Sequence, residues 1–134
     1  MGIGDLGMLK NSKAFSGFSV DSLESAKKFY GIILGVVVEE KLMGLELKLA
    51  GGNNVFIYPK ENHEPAAYTV LNFPVEDIDE VVDDLVGKGV KFEKYEGMHQ
   101  DERGIAHSLS ANMGRDIAWF KDPAGNILSV IQQK

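Results

Sequence analysis

An α+β fold of two tandem βαβββ modules is what this sequence predicts, and three observations predict it. The hydrophobic pattern passes from strand spacing to helix spacing and back to strand spacing, and it does so twice. Phe18-Ser19-Val20-Asp21-Ser22-Leu23 in the first half is answered by Phe73-Pro74-Val75-Glu76-Asp77-Ile78 in the second, and Gly35-Val36 by Gly89-Val90. At 134 residues, 44% of them hydrophobic, the chain has the size of one domain with a real core.

Residues 1–12 read as a flexible N-terminal tail. They contain Gly2-Ile3-Gly4-Asp5-Leu6-Gly7, the letters of a dinucleotide fingerprint. That motif works only between a strand and a helix, and only Met1 precedes it. The Met-Gly start does not fit N-myristoylation either, because Leu6 stands where Ser or Thr is needed.

Module one covers 13–61. Ala14 to Val20 alternates and reads as a strand; Leu23, Ala26, Tyr30 and Ile33 then fall three or four apart, as on an amphipathic helix. Ser22 is the expected N-cap and Gly35 the stop. Val36 to Leu42, Gly44 to Ala50 and Val55 to Tyr58 read as strands, the last two joined by Gly51-Gly52-Asn53-Asn54.

After a polar connector from Pro59 to Ala66, module two covers 67–134, and the two modules are expected to form a single compact domain. Tyr68 to Val75 is a strand, and Asp77 with Glu80 three residues on has capping-box spacing before Ile78, Val81, Val82 and Leu85. Gly87 and Gly89 end that helix. Val90 to Tyr95, Asp116 to Phe120 and Asn126 to Gln132 read as strands, and Asp122-Pro123-Ala124-Gly125-Asn126 places Pro and Gly as a type I turn requires. The extra residues of the second half lie between Glu96 and Arg115. They are open to two readings: a surface loop or added strand near Ile105 to Leu109, and a lid over a site.

Composition excludes several function classes. There is no cysteine, hence no disulfide, thiolate ligand or thiol nucleophile. The net charge of −6 argues against nucleic acid, which needs clustered Lys and Arg. The run from Ile32 to Val38 is too short to span a bilayer, and no secretory pattern opens the chain, so a cytoplasmic location is expected. No membrane partner is expected.

Asp21-Ser22-Leu23 leading to Phe29-Tyr30 and Leu34-Gly35, followed by Trp119-Phe120-Lys121-Asp122-Pro123-Ala124-Gly125-Asn126, resembles the glyoxalase/bleomycin-resistance/dioxygenase (vicinal oxygen chelate) superfamily. The resemblance runs from about Phe15 to Gln132. It implies a glyoxalase-like fold: curved mixed sheets around a cavity, commonly paired as a homodimer. Metal-using relatives hold a divalent ion with a His on the first strand of each module and a Glu near the last. Those positions fall here on Phe15, Val70, Ser129 and either Ile57 or Tyr58, none a good ligand. The family metal is therefore expected to be absent, and no cofactor is expected.

His63, His99 and His107 all fall in loops, where the ordinary role is a solvated side chain. His63 is the exception to weigh, near Tyr58, Lys60 and Tyr68 in sequence and able to serve as a general acid or base. Asn72 shares strand parity with Val70, which aims it at the cavity. The expected ligand-binding set is Phe15, Tyr58, His63, Tyr68, Val70, Asn72, Trp119 and Ser129. Arg103 or Arg115 could clamp an anion if the charged loop folds inward, whereas Glu39-Glu40 and Asp83-Asp84 read as solvated surface.

The leading expectation is a metal-independent binding protein that takes a small, partly aromatic organic molecule. The alternative is a glyoxalase-like lyase or isomerase using His63 or Tyr58 for proton transfer. A metalloenzyme with relocated ligands is a third possibility. Whether any reaction is catalysed stays open at this level.

Overall fold

The computed structural model describes residues 7–108 and 114–134. Strand β1 (Ser16–Val20) leads through α1 (Leu23–Lys28) to β2 (Val37–Lys41), β3 (Gly44–Lys48) and β4 (Val55–Pro59). The second half repeats the theme with β5 (Thr69–Val75), α2 (Ile78–Gly87), β6 (Ile117–Lys121) and β7 (Ile127–Gln132). Sheet one runs β1-β4-β3-β2 and sheet two β5-β7-β6; in each, the first strand pairs parallel with the last and the other pairings are antiparallel. The fold class expected from the sequence is the one observed.

The duplication extends to local chemistry. Ser22 Oγ accepts from the Ser25 N–H and Asp77 Oδ1 from the Glu80 N–H, the same N-cap at equivalent places. After α1 the chain makes one widened π-turn, Phe29–Ile33, in which the Leu34 N–H reaches back to the Phe29 carbonyl. That turn leaves both Phe29 and Tyr30 buried, their rings edge to face at 5.3 Å. Gly35 follows with φ +73°, the left-handed conformation that ends the helix cheaply.

Period two sorts each sheet into two faces. Phe18, Val20, Leu45, Leu47, Val55 and Ile57 of sheet one, and Ala118, Phe120, Leu128 and Val130 of sheet two, join one core with the helices. Phe29 of the first half meets Phe120 of the second at 6.3 Å, so the two sheets share that core through their helix-bearing sides. The other face of each sheet is left outside it.

Two expectations need correction. Val90 to Tyr95 is no strand: it contributes one antiparallel bridge, Phe92 to Phe120, and Ala106 supplies a second, to Ile117. The edge of β6 is thus covered by two short pieces, the first ending before the turn at residues 96–97, where Gly97 takes a φ of +84°. Val70 and Asn72 do not sit in unbroken alternation, since β5 bulges between Thr69 and Leu71, and Val70 packs against the core. The expected tail lies partly outside the described residues, as does the fingerprint-like run from Gly2; residues 7–12 are exposed. No helix among the described residues is long and apolar enough to cross a membrane.

Candidate functional site

The turn between β6 and β7 is more than a turn. Asp122 is buried, and its carboxylate accepts from Tyr30 Oη at 2.7 Å, the Ala124 and Asn126 N–H groups at 2.9 Å each, and Asn126 Nδ2 at 3.0 Å. Asn126 Nδ2 also donates to the Ser19 carbonyl at 2.9 Å. Gly125 makes this possible with φ +87°. Burial, with the Asp122 charge and hydrogen bond behind it, pushes the Tyr30 phenol far above its ordinary range. The hairpin of the second half is thereby locked onto α1 and β1 of the first.

His63 joins the same junction. Its Nε2 lies 3.0 Å from the Ala124 carbonyl and its Nδ1 2.6 Å from Ser19 Oγ. A carbonyl only accepts, so Nε2 carries a proton, and in the neutral ring the Ser19 hydroxyl donates to Nδ1. Both ring nitrogens are occupied within the protein. Ser19 pairs in register with Tyr58, which brings His63 to the end of sheet one where Tyr58 lies.

The outer face of sheet one carries Phe15, Phe56 and Tyr58 beside a charged ladder. Phe56 and Tyr58 stack with centroids 6.4 Å apart. Lys41 reaches Glu39 at 2.6 Å and Glu46 at 3.4 Å, and Lys48 reaches both at 3.4 Å. Glu39 and Glu46 are held below the usual carboxylate range, the first chiefly by its hydrogen bond to Lys41 and the second by the Asn54 amide. Glu39 is at the surface as expected, ion-paired there with Lys41 and Lys48. Phe15 itself is 69% exposed and borders a hollow of about 250 Å³ with Lys41, Glu46, Asn54 and Phe56.

On sheet two the register sets Asn72, Ser129 and Trp119 side by side across β5, β7 and β6. Ser129 is fully buried and its hydroxyl donates to Asn72 Oδ1. Next to this row Tyr68, Thr69, Tyr95, Glu96, Met98, Trp119 and Ile127 line a hollow of about 330 Å³. Tyr95 meets Trp119 edge to face at 5.5 Å. A larger groove, about 490 Å³, runs between the β2–β3 edge and residues Leu71 to Pro74 of β5, with Asn72 on its wall.

The eight expected residues therefore divide. Phe15, Tyr58 and His63 gather on sheet one; Tyr68, Asn72, Trp119 and Ser129 gather on sheet two, with Val70 packed inward. No hollow among the described residues contains them all. Tyr95 and Met98, which complete the aromatic hollow, were missed by sequence reasoning. Tyr95 closed the run read as a strand and Met98 fell in the loop after it, and only the placement of that stretch against β6 brings them to Trp119.

That stretch is pinned over its described part. Ile105 is fully buried and Ala106 nearly so. Gln100 accepts from the Tyr95 N–H at 2.7 Å and donates to the carbonyls of Glu93 and Gly104. Asp101 accepts from the N–H groups of Arg103 and Ile105, and its Oδ2 faces His107 Nε2 at 2.7 Å. Partial burial raises the Asp101 carboxyl, but the bonds from His107 and the two amides outweigh it and hold it low. The bond to Asp101 raises the His107 imidazole. Arg103 is hydrogen-bonded to Asp79 and Asp83 of α2, so its guanidinium is engaged there and does not meet the condition, an inward fold, under which it could clamp an anion. The rest of the 96–115 expectation, residues 109–113, lies outside the described residues.

A divalent metal does not fit the positions where metal-using relatives hold one. They carry an exposed phenylalanine, a core valine, a serine hydroxyl spent on Asn72, and Ile57 or Tyr58. Among the described residues no three His, Cys, Asp or Glu side chains are grouped to hold an ion.

Comparison with known proteins agrees with the topology. A family model described as Glyoxalase/Bleomycin resistance protein/Dioxygenase superfamily matches residues 15–130. A glyoxalase family protein of Bacillus anthracis is similar at TM-score 0.64 and 21% identity, over 90% of this chain and 95% of its own. One from Enterococcus faecalis gives 0.63 and 23%, over 92% and 98%. TnmS3, an antibiotic binding protein from Streptomyces sp. CB03234, gives 0.62 and 21%, over 90% and 96%. At such identities the likeness to these structures shows the fold alone. No curated protein matches the chain significantly.

Proposed function

We propose that this chain, which belongs to the glyoxalase/bleomycin resistance protein/dioxygenase superfamily, is a metal-independent small-molecule-binding protein. Its ligand is an organic molecule held on the outer face of sheet two. The observation that carries the reading is the hollow of about 330 Å³ lined by Tyr68, Tyr95, Met98, Trp119 and Ile127. Such a lining offers ring faces and apolar area with few polar groups, the make-up of a ligand pocket. The likeness to an antibiotic binding protein supports it. So does the donor chemistry at the family metal positions, which gives an ion little to hold.

The alternative, proton transfer by His63 or Tyr58 in a lyase or isomerase, has less behind it. Both nitrogens of His63 are spent on Ser19 and Ala124. A homodimer is part of the proposal. Phe15 and Tyr68, on different sheets, are 69% and 70% exposed, and a second copy that covered them would bring the two outer faces together around one ligand.

Trp119 is the only tryptophan, so intrinsic fluorescence reports on this hollow directly. A panel of small aromatic compounds should yield members that both raise the melting temperature and change Trp119 emission. Tyr68→Ala should weaken those hits. Stabilising compounds that leave the emission untouched would move the site elsewhere, and light scattering at the mass of one chain would remove the dimer.

A further inference from the structure

The hollow on sheet two carries rings in different planes and, among its described residues, one charged group. Tyr95 and Trp119 stand at 75° to each other with centroids 5.5 Å apart, and Tyr68 borders the same space. Among the described residues that line it, the only ionic group is the Glu96 carboxylate. Lys121, two residues beyond Trp119 on the same face of β6, is turned to Glu93 at 3.8 Å and borders a different hollow. Burial, with the negative charge of Glu93 behind it, raises the Tyr95 phenol and keeps it neutral.

The face of an aromatic ring is the negative pole of its quadrupole. Rings in crossed planes beside a carboxylate therefore form a corner that favours positive charge, within a protein of net charge −6. We propose that the ligand of this hollow is an organic cation, an aryl or alkyl ammonium whose charged head lies against Tyr68, Tyr95 and Trp119 within reach of Glu96. The proposal rests on the reading of this hollow as the ligand site and adds the sign of the ligand's charge. An anion would meet Glu96 and the ring faces with the wrong sign.

The test uses two molecules of the same shape, (4-hydroxyphenyl)trimethylammonium and 4-tert-butylphenol, titrated into the full chain below neutral pH. Trp119 emission and calorimetry are the readouts. The cation should bind about tenfold more tightly than its neutral twin, the range expected of a cation over aromatic faces. Glu96→Gln and Tyr68→Ala, both at exposed positions, should each narrow that ratio while leaving the melting temperature of the free protein unchanged. Equal or tighter binding of the neutral twin overturns the charge assignment and leaves the ligand site standing. Failure of both molecules to perturb Trp119 overturns the charge assignment and the site together.

Discussion

The Tyr30–Asp122 pair is one of the contacts that join the two halves, and its worth can be worked from the geometry. Tyr30 is fully buried and donates to Asp122 Oδ2 at 2.7 Å, while the same carboxylate accepts three further bonds from Ala124 and Asn126. A hydrogen bond to a charged acceptor contributes about 1.5–3 kcal/mol, so Tyr30→Phe should cost about 2 kcal/mol. Asp122→Ala strands the Tyr30 hydroxyl and the backbone N–H groups of Ala124 and Asn126, which should cost about 4–5 kcal/mol, a large share of a typical domain's stability. In the Asp122→Ala background the hydroxyl has already lost its acceptor, so adding Tyr30→Phe should cost almost nothing, a coupling of about 2 kcal/mol. Urea titrations of the four proteins, followed by Trp119 fluorescence and circular dichroism, measure all three quantities. A Tyr30→Phe cost under about 0.5 kcal/mol, or equal costs in both backgrounds, would refute the reasoning.

Alkaline pH should act on the same pair. The Tyr30 phenol is raised in the folded state, so its stabilisation is complete below the ordinary phenol value of about 10 and falls away as pH rises beyond it. Alkaline melting curves should shift less with pH in Tyr30→Phe than in the parent. His107 should give a second, milder dependence. Its two nitrogens face Asp101 at 2.7 Å and Asp116 at 3.3 Å, with Arg103 3.8 Å from Asp101, and only the imidazolium can donate to both carboxylates. Its pKa is raised, so this support is complete below the ordinary imidazole value and lost as pH rises through the folded one; the lowered Asp101 loses its share as pH falls. The protection of the Ile105 amide relative to its intrinsic exchange rate should fall as pH rises through the His107 titration, and His107→Ala should remove that pH dependence of the protection. Gly44→Ala would place a Cβ 2.2 Å from the Ile57 carbonyl oxygen, so β3 must shift, at a cost of about 1–3 kcal/mol in thermal or urea unfolding. Gln100→Ala, which frees Tyr95 N–H and two carbonyls, should weaken any ligand of the aromatic hollow by more than it lowers the melting temperature.

Much of the fold was legible in the residues because its rules are local. Ser22 and Asp77 cap their helices, Gly35 takes a positive φ, and Asp122 to Asn126 form the expected turn. Elements with strong period kept their expected places to within a residue or two. Val90 to Tyr95 did not, because a short apolar run looks the same whether it pairs along its length or touches a neighbour once. The bulge at Thr69/Leu71 was equally invisible, since alternation carries no mark of an inserted residue.

The candidate site was legible only in part. Tyr68 and Trp119 could be named from the sequence, but their partners Tyr95 and Met98 could not, and Phe15 and Tyr58 turned out to serve the other sheet. Local spacing by itself determined the tandem order of strands and helices, apart from the strand expected at Val90 to Tyr95, with its caps and its turns, since each depends on backbone preferences a few residues long. Tertiary structure alone decided which side chains share a hollow and what holds the halves together. Those facts rest on contacts such as Tyr30 to Asp122 and Tyr95 to Trp119, made between residues far apart in the chain.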